Sequence, residues 1–142
     1  MNFEPPTQRE DLIGKAIVQA AYMVHKTLGP GLLESIYEVC FCHELTKMGM
    51  TVQRQITLPI YYDGIHFEER LRLDVLVESL VICELKATIE MHPVYTAQLI
   101  SQLKLAHKRL GYLINFNVPL IKTASSVSHY KNLGVLMSFI TI

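Results

Sequence analysis

Between residues 51 and 87 the chain offers three strand-like runs in succession, about 51–62, 65–77 and 80–87, and this most narrows what it can fold into. Runs rich in Val, Ile, Leu and Tyr, bounded by turn residues, read as strands. Asp63-Gly64 between the first two is a strong hairpin signal, because both residues tolerate the positive φ of a tight hairpin turn. Glu78-Ser79-Leu80 supplies the second reversal. Pro59 has no amide to donate, so the first run is expected at a sheet edge or to be interrupted. A three-strand meander cannot bury both its faces alone, so the flanking segments must cover it.

Those flanks read as helices. Thr7 and Glu10 fit a capping box, and Leu12, Ile13, Ala16, Ile17, Ala20, Val24 and Leu28 recur at helical spacing until "GPG" ends the pattern. A second helix is expected with Leu33, Ile36, Tyr37, Cys40, Phe41, Leu45 and Met48 on one face and Gly49 as its stop. Pro93 opens a third helix, expected to run to Gly111, after which "YLINFN" reads as a buried strand returning to the sheet through a crossover. The chain is 142 residues, half of them hydrophobic, with no linker or repeat. That suits a single domain over 1–142, with roughly 70% of its unfolded surface buried on folding.

The second and third runs carry charges where a core strand should be apolar. With a turn at 78–80, Asp74 falls directly opposite Glu84. Side chains alternate faces, so the odd positions Leu71, Leu73, Val75, Val77, Val81, Cys83, Leu85 and Ala87 are expected on one apolar face. The even positions then gather Arg72, Asp74, Glu84 and Lys86 at one end of the other face, with Leu76 and Ile82 filling the rest. Two carboxylates across a strand pair, with Cβ atoms ~5 Å apart, repel each other. Lys86 offsets only one of them, and a further cation is expected. Oxygen donors without a Cys or His pattern suit a hard divalent ion such as Mg²⁺ rather than zinc. The alternative is a buried structural ion network, which is costly to desolvate and here unbalanced.

Net charge is zero, with 13 basic and 13 acidic residues, so no global field draws the chain to nucleic acid or anionic lipid. Basic residues gather locally at Arg54, Arg70, Arg72 and in "KLAHKRLG", where cations also suit the negative end of a helix. Three cysteines without a CxxC pair read as free thiols. "CFCH" reads as core packing rather than a zinc site, since one helical stretch rarely offers four ligands. No apolar run approaches the ~20 residues of a membrane span, and the opening residues lack a signal pattern, so a cytoplasmic protein is expected.

Asp74, nine intervening residues, and then Glu84-Leu85-Lys86 resemble the PD-(D/E)xK motif of the restriction-endonuclease-like nucleases. "GLLESIY", with Gly31, Glu34 and Tyr37, is similar to the signature of the GxxExxY family within that superfamily. The resemblance extends from the first helix through "NFNVPL". It implies an α/β fold with an αβββαβ core, a mixed sheet flanked by helices, and a Mg²⁺- or Mn²⁺-dependent phosphodiesterase acting on nucleic acid, DNA ahead of RNA. It implies Asp74, Glu84 and Lys86 as catalytic residues and Glu34, Asp74 and Glu84 as metal ligands, with Lys86 beside the attacking water. Arg72, Gln98, Gln102 and Lys104 are expected to meet nucleic acid. Gln98 resembles the glutamine of a QxxxY helix motif, whose tyrosine position is Gln102 here. A helix-surface pair is the plain alternative for these two glutamines, and helix-dipole stabilisation for Glu34. The competing function is a non-catalytic domain that keeps the fold and binds nucleic acid or a protein, in line with zero net charge and Gln102. Finally, "GVLMSFITI" (134–142) has the composition of a strand that must be covered, by its own sheet or by the same segment of a second subunit in a homodimer.

Overall fold

The computed structural model describes residues 4–117, 126–132 and 135–141. Two helices come first, α1 (Gln8–Leu28) and α2 (Glu34–Lys47), then the meander β1 (Val52–Tyr62), β2 (Ile65–Val77) and β3 (Val81–Lys86). The crossover helix α3 (Pro93–Leu105) leads to β4 (Leu110–Asn115), followed by β5 (Ser126–Asn132) and β6 (Val135–Thr141). The strands form one mixed sheet in the order β1-β2-β3-β4-β6-β5, with β3, β4 and β6 parallel. This is the expected α/β architecture, extended by a final pair of strands.

Local sequence signals account for most boundaries. The Thr7 hydroxyl accepts the Glu10 amide at 3.1 Å while the Glu10 carboxylate accepts the Thr7 amide at 2.9 Å, closing the capping box of α1. Asp63 and Gly64 both have positive φ, 53° and 71°, as the hairpin turn requires. Pro59 lies on the edge strand, and the β1–β2 register shifts between Pro59 and Ile60. Pro93 opens α3 behind His92, whose Nδ1 accepts the Val94 amide at 3.0 Å. Helix α3 ends earlier than expected, at Leu105, because His107 turns the chain with φ 55°. Gly111 is therefore not a helix stop but a residue of β4. A Cβ there would lie 3.0 Å from one Leu99 methyl and 3.1 Å from a Leu103 methyl, so glycine lets α3 lie close on the strand.

Helices α1 and α2 cover one face of the sheet and α3 the other. The first core joins Ile13, Ile17 and Val24 of α1 to Tyr37, Phe41 and Leu45 of α2, over Val75, Val81, Cys83, Tyr112 and Ile114. The second packs Leu99 and Leu103 of α3 on Leu73, Leu76, Ile82 and Leu113. The buried face of α2 is shifted from the expected one: Tyr37, Phe41, Cys42 and Leu45 are buried, whereas Leu33, Ile36 and Met48 are exposed, as are Leu12 and Leu28 of α1. Tertiary packing selects the narrower stripe that meets the sheet, and helical spacing alone does not mark its edges.

Arg109 of the basic stretch is engaged within the fold. Its guanidinium meets both Glu10 oxygens, at 2.6 and 3.1 Å, and donates to the carbonyls of Glu4 and Pro5. Burial would raise the Glu10 carboxyl, but the Arg109 and Thr7 hydrogen bonds with the Arg109 charge hold it below the usual carboxylate range. The strand expected over 134–142 falls largely on β6, whose described part pairs with β4 on one side and β5 on the other.

Candidate active site

Within the buried half of β2, Leu71 to Val77, strict alternation fails at Asp74. Val75 and Val77 join the core under α1 and α2, yet Leu73 and Leu71 belong to the core under α3. The partner strand does the same: Val52 faces the first core, Ile56 and Leu58 the second. The expected single apolar face over all odd positions is thus incorrect. The β1–β2 ribbon turns over, carrying Leu71 and Leu73 to the opposite side. The turnover lies at Gln55, which has φ 48° and leaves Asp74 as the position without a ladder partner between Arg54↔Val75 and Ile56↔Leu73.

The same point ends the pairing on the other side. Strands β2 and β3 pair at Val77↔Val81, Leu76↔Ile82 and Val75↔Cys83, and the ladder goes no further. Asp74 and Glu84 are next in this register, as expected. Each carboxylate there takes a backbone amide of the opposite strand: Glu84 Oε1 accepts from Asp74 N at 3.3 Å, and Asp74 Oδ2 accepts from Leu85 N at 3.1 Å. Side chains thus replace the missing ladder bonds and hold the strands as they diverge. Both acids are buried, Asp74 at 6% exposure and Glu84 at 8%. Burial first, and then the Asp74 charge, push the Glu84 carboxyl up to about 8.

The divergence opens a cavity of about 540 Å³ between the end of the sheet, α3 and the start of α2. Its lining includes Asp74, Glu84, Lys86, Glu34, Arg72, Gln98 and Gln102, seven of the eight residues singled out from the sequence. Lys104 is the exception, exposed in the last turn of α3 and outside the lining. The Lys86 ammonium lies 4.6 Å from the centre of the Tyr95 ring, a cation–π contact that fixes its approach. The Oε1 of Gln102 is buried and has no hydrogen-bond partner among the described residues, an open acceptor in the cavity wall.

Glu34 reaches the cavity because of the turn before it. Gly29 and Gly31 take positive φ, 68° and 100°, where a side chain would be strained. The Tyr37 hydroxyl donates to Gly29 O at 2.5 Å and accepts from Leu32 N at 3.1 Å, while its ring stacks on Phe116 at 4.7 Å. Tyr37 therefore clamps the loop, and Glu34 stands in the first turn of α2, facing the acid pair. Burial raises the Glu34 carboxyl, Lys86 opposes this and the Asp74 charge adds to it. Sequence reasoning did not single out Glu38 or Tyr95. Glu38 stands one helical turn after Glu34, the spacing that could have drawn attention to it.

When ionised, three carboxylates against the cations of Lys86 and Arg72 leave the cavity short of positive charge. No group of three His, Cys, Asp or Glu side chains among the described residues is arranged as a metal cage. Two convergent carboxylates are nevertheless the donor set that suits Mg²⁺, which keeps several waters and binds through one or two carboxylates plus substrate phosphates. The carboxylate oxygens of Asp74 and Glu84, with Glu34 lining the same cavity, are donors of the kind a hard divalent ion takes.

A mixed sheet flanked by helices, with an Asp on the second strand and Glu-x-Lys on the third meeting where those strands part, defines a restriction-endonuclease-like nuclease fold. The profile of the PD-(D/E)XK nuclease superfamily matches residues 11–127, and the chain belongs to that superfamily. Neither curated proteins nor solved structures provided a match. Members of the superfamily generally use divalent metal ions. No helix among the described residues is long and apolar enough to cross a membrane.

Proposed function

We propose that this chain is a single nuclease domain of the GxxExxY type that hydrolyses phosphodiester bonds in DNA, using Mg²⁺ or Mn²⁺. The observation that carries the reading is the convergence of Asp74, Glu84, Lys86 and Glu34 on one cavity at the divergence of β2 and β3. Asp74 and Glu84 would hold the ion, with Glu34 adding a carboxylate from α2. When bound, a divalent ion polarises the phosphoryl group and lowers the pKa of a water. Lys86 orients the attacking water and stabilises the negative charge that develops on the phosphoryl oxygens. Gln98, Gln102 and Arg72 line the path of the substrate backbone, where Arg72 supplies a phosphate contact and the Gln102 oxygen accepts a hydrogen bond from a sugar or base.

The test is direct. Purified protein is incubated with circular and linear, single- and double-stranded DNA and RNA, with Mg²⁺, Mn²⁺ or EDTA. Metal-dependent cleavage of DNA, lost in EDTA, is the expected result. Binding without cleavage of any substrate would replace this reading with that of a non-catalytic nucleic-acid-binding domain.

A further inference from the structure

We propose that Glu38 is a positioning residue for Asp74: by holding Gln55 in its left-handed conformation, it maintains the turnover of the β1–β2 ribbon, the point at which the β2–β3 ladder ends and the Asp74 carboxylate takes the Leu85 amide. The functional half of this inference rests on the reading of Asp74 as a metal ligand. Its geometric half stands on the fold alone.

Glu38 is a carboxylate at 4% exposure, on the buried face of α2. Its two oxygens bind two consecutive residues of β1: Oε1 accepts from Arg54 Nε at 3.1 Å and Oε2 from Gln55 Nε2 at 2.8 Å. A buried charge bound in this way is rarely neutral to structure. Gln55, which it grips, has φ 48°, a conformation disfavoured for any residue with a Cβ and found mainly where the surroundings over-determine it. Directly across the ribbon from Gln55 is Asp74, and on either side of this point both strands exchange the cores they face. Were Gln55 to relax to ordinary extended backbone, regular alternation would resume and the β2–β3 ladder would be free to continue past Val75. Asp74 would stay on the side of Glu84 but give up Leu85 N, the amide its Oδ2 now accepts. Glu34 and Glu38 are four apart on α2, so one helix face delivers an acid to the cavity and, one turn later, the clamp that shapes the strand beneath it.

The test uses Glu38→Ala, Gln55→Val and the double variant Glu38→Ala/Gln55→Gly, compared with the wild type by amide hydrogen exchange and by Mn²⁺ titration calorimetry. Glu38→Ala should speed exchange of the Leu85 amide by about tenfold or more relative to that of Ile82 deep in the same strand. It should also weaken Mn²⁺ binding by about 10- to 100-fold, the usual cost of removing a group that orients a ligand. Gln55→Val, a β-branched residue that resists positive φ, should do the same with Glu38 intact. Glycine takes that conformation freely, so Glu38→Ala/Gln55→Gly should recover most of both properties, which a merely stabilising role for Glu38 would not produce. Leu85 protection and Mn²⁺ affinity in Glu38→Ala and Gln55→Val within twofold of wild type would overturn the inference. So would failure of glycine to rescue. If Glu38→Ala does not fold, Gln55→Val decides by the same two readouts. A wild type that binds no Mn²⁺ while Leu85 protection follows the predicted pattern would overturn the metal-ligand reading and its functional half, and leave the positional one standing.

Discussion

Replacing Asp74 by asparagine separates the electrostatics of the acid pair from its hydrogen bonds. The carboxamide oxygen of the variant can still accept the Leu85 amide that Asp74 Oδ2 now takes at 3.1 Å, but the charge facing Glu84 is gone. Holding the Glu84 carboxyl at about 8 rather than 4.5 corresponds to about 5 kcal/mol against its ionised form, at about 1.4 kcal/mol per pH unit. Burial is the larger cause and Asp74 the second, so removing the charge should recover on the order of 1–2 kcal/mol. The sign follows from proton linkage: a carboxyl raised in the folded state binds its proton there while the unfolded chain has released it. Without metal, the contribution of Glu84 to wild-type stability therefore declines as pH rises from about 4.5 to about 8. In EDTA at pH 8, Asp74→Asn should melt about 3–6 °C above the wild type, and this gain should vanish near pH 5. With Mn²⁺ at about 100 times its dissociation constant, the wild type should gain about 2.7 kcal/mol by mass action, and the variant should lose that response. Differential scanning calorimetry over pH, with EDTA and with Mn²⁺, measures all three. A variant that melts below the wild type in EDTA at pH 8, or that keeps the full metal shift, would refute the reasoning.

Lys86→Ala should lower cleavage by about 10²-fold or more while calorimetry still detects metal, because an ammonium that stabilises developing charge acts on rate rather than on ion binding. Binding of duplex DNA should be weak, with a shallow salt dependence, since a chain of zero net charge offers few phosphate contacts and each contributes a slope near −0.9; a slope implying eight or more contacts would contradict this. Truncation after Asn132 removes β6 from between β4 and β5 and should sharply reduce stability and solubility, read by melting temperature and sedimentation. Arg109→Ala strips the partner from a buried Glu10 and should cost about 2–3 kcal/mol at pH 7. The Glu10 carboxyl is held low, so its contribution is present above pH 4.5 and lost as pH falls through its folded value; the variant should show a flatter decline in acid.

Element order through β4, the two hairpin turns and the starts of α1 and α3 were legible because each is set by neighbours in the chain: a capping box, a proline at a first turn, an Asp-Gly at a reversal; β5 was not. The register that sets Asp74 beside Glu84 followed from turn length alone, and Lys86 two residues on shares their side of the strand. That much of the candidate site is one-dimensional information. The rest depends on contacts between distant segments. Alternation predicts one face for Leu73 and Val75, but Gln55, nearly twenty residues earlier, inverts the ribbon between them, and a buried acid on α2 holds Gln55 in place. Propensity assigns Gln55 an ordinary extended conformation, since nothing adjacent to it in the chain marks positive φ. Likewise, helical spacing could not choose which stripe of α2 meets the sheet, so Leu33 and Ile36 are exposed while Glu38 is buried. Local chemistry thus determined the elements and which strands carry the charged residues. Only tertiary packing decided where the ribbon turns over, and that α2 adds a third carboxylate, Glu34, to the cavity where β2 and β3 part.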